Sequence, residues 1–134
     1  MNKIEHIGIA VKNIQESNAL FAALLGVASY KMEFVDSENV ITSFFKAGAT
    51  KIELLQSLSA EGPIHTFLEK KGEGIHHIAF EVTDILAEMI RLKKLGFIVL
   101  NDVPKKGADN KLVCFLHPKS THGVLIELCQ EIKA

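Results

Sequence analysis

With 134 residues, 48% of them hydrophobic, the chain suits one compact domain and is too apolar for a disordered one. Its 15 basic and 16 acidic residues leave a formal charge of −1, and it has no Trp and one Tyr, so nothing general favours nucleic acid. The longest charge-free apolar run, residues 19–28, is about half the ~20 residues of a membrane span, and Glu5 and His6 fall where a secretory signal would turn apolar. The expectation is a cytoplasmic protein with no membrane partner, whose cysteines, Cys114 and Cys129, are reduced core residues.

Residues 4–11 read as a strand with Ile7, Ile9 and Val11 on one face. Asn13 opens a helix, with Glu16 placed for a capping box. Leu20, Phe21, Leu24 and Leu25 form its apolar stripe, and Gly26 ends it. Strands follow at about 28–35, 40–46 and 50–57, with Gly48 turning between the last two. Pro63 opens and Gly72 closes a short connecting helix, about 63–71. Residues 75–82 are again a strand. Asp84 then caps a helix bearing Ile85, Leu86, Met89, Ile90 and Leu92, which Gly96 ends. Further strands are expected at 97–101, 112–116 and 124–130.

The second half repeats the first. H-I-G-I-A-V from His6 matches H-I-A-F-E-V from His77, an offset of 77 − 6 = 71. K-I-E-L-L around Glu53 matches L-I-E-L-C around Glu127, an offset of 127 − 53 = 74, and a longer turn at 117–122 absorbs the difference. Each half is thus a βαβββ unit. The expected fold is α+β, one domain made of two tandem βαβββ modules, about 1–58 and 73–134, forming a curved, cup-like mixed sheet.

Neighbouring side chains in a strand point to opposite faces. His6, Glu53, His77 and Glu127 each lie on a strand whose other face is apolar and suited to packing under a helix. Their own face is then the concave one, where only Gly8, Ala10 and Ala79 flank the histidines. Two imidazoles and two carboxylates suit a divalent ion of borderline hardness and would be costly to bury without a cation. Any one of these residues alone would read as a core histidine or a solvent-facing glutamate. The matched placement in two repeats makes them candidate metal ligands. His76 points to the other face and reads as structural in preference to a hydrogen-bond donor behind a ligand. Gln56 shares the Leu54 face and is rejected as a ligand, while His65, His117 and His122 read as surface residues.

The paired H-I-G-I-A-V and H-H-I-A-F-E-V strands, with I-E-L-L and G-V-L-I-E-L, resemble the vicinal-oxygen-chelate superfamily along essentially the whole chain. Within it, G-E-G-I-H-H-I-A-F-E-V and F-L-H-P-K-S-T-H-G-V-L-I-E-L-C resemble the methylmalonyl-CoA epimerases. The H-P-K-S turn differs from the D-P-D-G-like turn of glyoxalase I, the nearest alternative. The resemblance implies one divalent ion per chain on His6, Glu53, His77 and Glu127, cobalt favoured over manganese, nickel or zinc. It also implies an acyl-CoA thioester as substrate, a homodimer, and proton transfer at C2 through a metal-stabilised enolate, with Glu127 as one acid/base.

Inversion needs a second acid/base on the opposite face of the planar intermediate. Some members carry a glutamate in the third strand, where this sequence has Thr42 or its neighbours. The nearest carboxylates are Glu33 and Glu38, and the second group is left unassigned between these, water and a substrate-assisted route. Lys105, Lys106, Lys111 and Lys119 are candidates to meet the CoA phosphates, with Lys119 preferred for its H-P-K-S setting. A ring-cleaving dioxygenase would need only two histidines and one carboxylate. A non-catalytic binder of the same fold would need no metal.

Overall fold

The computed structural model describes residues 1–133. They form two compact units, His6–His76 and Met1–Glu5 together with the chain from His77 on. Among the described residues, no helix is long and apolar enough to cross a membrane.

In the unit His6–His76, strand β1 (Lys3–Ala10) enters and helix α1 (Ile14–Leu25) follows. Strands β2 (Lys31–Val35), β3 (Val40–Ala47) and β4 (Thr50–Ser57) then complete a half-sheet in the order β2-β3-β4-β1. β1 and β4 run parallel and the other neighbours antiparallel. Asn13 caps α1 by accepting from the N–H groups of Gln15 and Glu16, and Gly26, at φ 73°, closes it in the left-handed region where a side chain would be strained. α1 covers the outer sheet face, packing Ile14, Phe21, Ala22 and Leu25 over Val11, Phe45 and Leu54. Full burial of an aliphatic or aromatic side chain contributes about 1.5–3 kcal/mol, so this cluster holds the helix in place. Helix α2 (Pro63–Lys71) ends the unit.

The other unit repeats the plan with β5 (Gly74–Glu81), α3 (Ile85–Lys94), β6 (Lys105–Lys106), β7 (Lys111–Leu116) and β8 (Ile126–Glu131), ordered β5-β8-β7-β6. β5 and β8 are parallel. Asp84 caps α3 by accepting from Ala87 N–H. Ile85, Met89 and Leu92 pack on Cys114, Leu116 and Leu128.

Several expectations are corrected. The stripe on α1 is rotated: Leu20 and Leu24 are 65% and 72% exposed. On α3, Leu86 and Ile90 are likewise exposed. The strand expected at 97–101 reduces to one bridge, Val99 with Leu116, because Asn101 supplies a side-chain oxygen to Phe115 N–H in place of a continuing ladder. β2 starts at Lys31 rather than near residue 28, since the Ser29 hydroxyl donates to the Lys31 carbonyl and shapes the approach. The two-residue strand β6 carried no sequence signal.

Candidate active site

Glu53 sits mid-strand in β4, with Gly8 as its partner across the parallel pair and Phe44 across the antiparallel one. His6 lies two residues before Gly8 on the same face. With no side chain at Gly8, imidazole and carboxylate meet diagonally: His6 Nδ1 is 3.1 Å from Glu53 Oε2. Both residues are buried.

The second unit builds the same pair. Ala79 and Phe115 are the cross-strand partners of Glu127. His77 Nε2 is 3.3 Å from Glu127 Oε1, and both residues are again buried. The His77 ring meets Phe115 edge-on, centroids 6.0 Å apart. Each unit therefore sets a histidine, a small residue, a glutamate and a phenylalanine in one arrangement. The phenylalanines, Phe44 and Phe115, repeat at 115 − 44 = 71, the same offset as His6 and His77. A buried carboxylate is costly unless charge or hydrogen bonds offset it. One imidazole nitrogen and one carboxylate oxygen per unit is a donor set that suits a divalent cation.

The remaining candidates separate by face and burial. His76 lies on the opposite face of β5, its ring edge-on to Phe67 of α2 at 5.0 Å. Burial, then the positive charge of Lys71, pushes its pKa from 6.5 down to about 4. It is a neutral packing residue. Gln56 accepts Ile14 N–H at 2.7 Å at the start of α1, and Gln130 does the same for Ile85 N–H at the start of α3. Cys114 lies under α3, where burial first and the charge of Glu127 second push its thiol up to about 11. Cys129 is fully buried, its Sγ 3.5 Å from the Phe80 carbonyl oxygen.

Lys111 is corrected. It is buried rather than offered to solvent, its Nζ 3.6 Å from Glu131 and 3.9 Å from Asp109. Lys106 and Lys119 are exposed and Lys105 is half-buried. Lys119 sits in a 3-10 turn, its N–H donating to His117 Nδ1. His117 and His122 are exposed, whereas His65 is half-buried and lies 3.5 Å from Glu69. Glu5, in β1 next to His6, is buried as well. Thr42 lies in β3 on the Glu53 face. Glu33 is its partner in β2, and Glu38 stands in the 3-10 turn between those strands.

The family description "Glyoxalase/Bleomycin resistance protein/Dioxygenase superfamily" matches residues 5–115. Along 132 residues the chain is 42% identical to the ethylmalonyl-CoA/methylmalonyl-CoA epimerase of Cereibacter sphaeroides, covering 97% of this chain and 98% of that one. The chain belongs to the methylmalonyl-CoA epimerase family of this superfamily. The epimerase likeness extends to structure. A variant of Streptomyces coelicolor methylmalonyl-CoA epimerase, in complex with 2-nitronate-propionyl-CoA, superposes with TM-score 0.95 at 32% identity, covering 99% of each chain. A relative without an assigned activity, the uncharacterized protein YqjC of Bacillus subtilis, is 40% identical over 130 residues, 97% of this chain and 93% of that one.

Proposed function

We propose that this protein is a metal-dependent epimerase that interconverts (2R)- and (2S)-methylmalonyl-CoA by moving the proton at C2. The observation that carries this reading is the buried histidine–glutamate pair built twice, His6 with Glu53 and His77 with Glu127, in a chain of the epimerase family. The relative from Cereibacter sphaeroides is named for two substituted malonyl thioesters, which makes ethylmalonyl-CoA the natural second substrate to assay.

The C–H bond at C2 lies between a thioester and a carboxylate, so its proton leaves to give a carbanion delocalised as an enolate. Glu127 takes that proton as general base and, in the reverse direction, returns it as general acid. His6, Glu53, His77 and Glu127 would hold the ion, and all four are buried from competing water. A divalent ion held there, cobalt favoured, would supply Lewis-acid chemistry that offsets the negative charge developing on the substrate. Ala10 and Ala79, both fully buried, leave space beside the histidines. Lys119 offers its ammonium to the phosphates of the CoA tail, and the working form is a homodimer.

The test is to incubate metal-free and cobalt-loaded protein with each epimer in deuterium oxide and follow both isotope entry at C2 and the opposite epimer. Cobalt-dependent exchange accompanied by inversion is expected. Cobalt binding without exchange would mean that the substrate is wrong, and a glutathione hemithioacetal would be tried next.

A further inference from the structure

Thr42 is fully buried in β3, and its Oγ1 has no hydrogen-bond partner among the described residues. A hydroxyl in that state costs stability and calls for an explanation. Packing does not supply one, because the repeat provides a control. The position matching Thr42 in the second unit, at 113 − 42 = 71, is Val113, also buried and nearly the same shape. The fold accepts a plain β-branched side chain there, so the hydroxyl is an addition peculiar to the first unit.

The flanking strand differs in the same way. Opposite Val113 stands Lys105, whereas opposite Thr42 stands Glu33. Thr42 also lies two residues from Phe44, the partner of Glu53, and so shares the face of the His6–Glu53 pair. One unit alone therefore carries a carboxylate directly across from a buried hydroxyl on the ligand-bearing face. Directly opposed strand residues have Cβ atoms about 4.5–5.5 Å apart, within reach of a glutamate that turns about its own torsions. The Glu33 carboxylate lies 3.8 Å from Lys31 Nζ, and its side chain is 35% exposed, which gives it a route to solvent protons.

We propose that Thr42 and Glu33 form a proton relay serving the face of the intermediate that Glu127 does not. The relay rests on the epimerase reading. From the enolate, the Thr42 hydroxyl gives its proton to C2 as the C–H bond forms, and protonated Glu33 passes its proton to Thr42 Oγ1. Threonine is regenerated, Glu33 is left as carboxylate, and solvent reprotonates it. In the opposite direction Glu33 carboxylate draws the C2 proton through Thr42, and Glu127 supplies the new one. Thr42 touches substrate, while Glu33 acts through it.

The experiment measures deuterium entry and inversion separately, from both epimers, in cobalt-loaded wild type, Thr42→Val, Thr42→Ser, Glu33→Gln and Glu33→Asp. In Thr42→Val and Glu33→Gln, exchange with retention should persist from the epimer that Glu127 deprotonates. The ratio of inversion to exchange should fall at least about tenfold, the low end of what a positioned acid/base contributes. Thr42→Ser and Glu33→Asp should recover most of it, and the melting temperature of Thr42→Val should not fall. If inversion and exchange drop together from the epimer that Glu127 deprotonates, or if neither changes from either epimer while wild type epimerises, the relay is wrong and the epimerase reading stands. If wild type exchanges neither epimer, both are wrong.

Discussion

Two adjacent histidines in one strand have opposite fates because alternate strand residues face opposite ways. His77 meets Glu127, and His76 packs against Phe67. The depressed pKa of His76, about 4 against 6.5, has a consequence for stability. The folded state prefers the neutral ring, so the unfolded chain binds more protons between those values. The contribution is complete above pH 6.5 and shrinks as pH falls toward 4. Urea denaturation across that range should show the decline, and His76→Phe should flatten this part of it. At Thr42, removing an unpartnered buried hydroxyl by Thr42→Val should raise stability by about 1 kcal/mol in the same denaturation assay. Glu127→Ala should lower the rate of isotope exchange by about 10²-fold or more. The four histidine and glutamate positions were legible as candidates from alternation and repeat. The burial of Glu5, Lys111 and Thr42 was not. Polarity alone predicts solvent for each, and only neighbours from other strands reverse that.

At the level of elements, local chemistry was most readable where a single residue decides the outcome: Asn13 and Asp84 at helix starts, Gly26 at a helix end, Pro63 opening α2. It was least readable where a pattern has two equally apolar sides. Leu20 and Leu24 fit a helical stripe as well as Phe21 and Leu25 do, and only the position of the sheet decides which pair is covered. Residues 97–101 alternate like a strand, and Phe97 and Val99 do turn inward. Their backbone is nonetheless met by isolated bonds, such as Leu100 N–H to Phe115 O at 2.8 Å, and by Asn101. Gln56 in β4 and Gln130 in β8 each tie their own strand to the helix start of their unit. Replacing either by alanine should cost about 1 kcal/mol, as a lost helix cap does, measurable as a lower denaturation midpoint. Neither change should abolish metal binding, because both side chains lie on the helix-covered face.

For the molecule as a whole, the repeat is the strongest signal in the sequence and governs how the chemistry divides. Each unit supplies one imidazole and one carboxylate, so neither alone offers the four ligands proposed for the ion. Cobalt at about 100 times its Kd should stabilise the native chain by about 2.7 kcal/mol, seen as a melting temperature that rises with cobalt and falls with chelator. His6→Ala and His77→Ala should each weaken that response, although they lie in different units. The measurement that bears most directly on the account is the rate of deuterium entry at C2 of methylmalonyl-CoA as cobalt is titrated into the metal-free protein. The account predicts a linear rise that stops at one ion per chain. Exchange that is undiminished without metal, or that climbs until two ions per chain are bound, would contradict it.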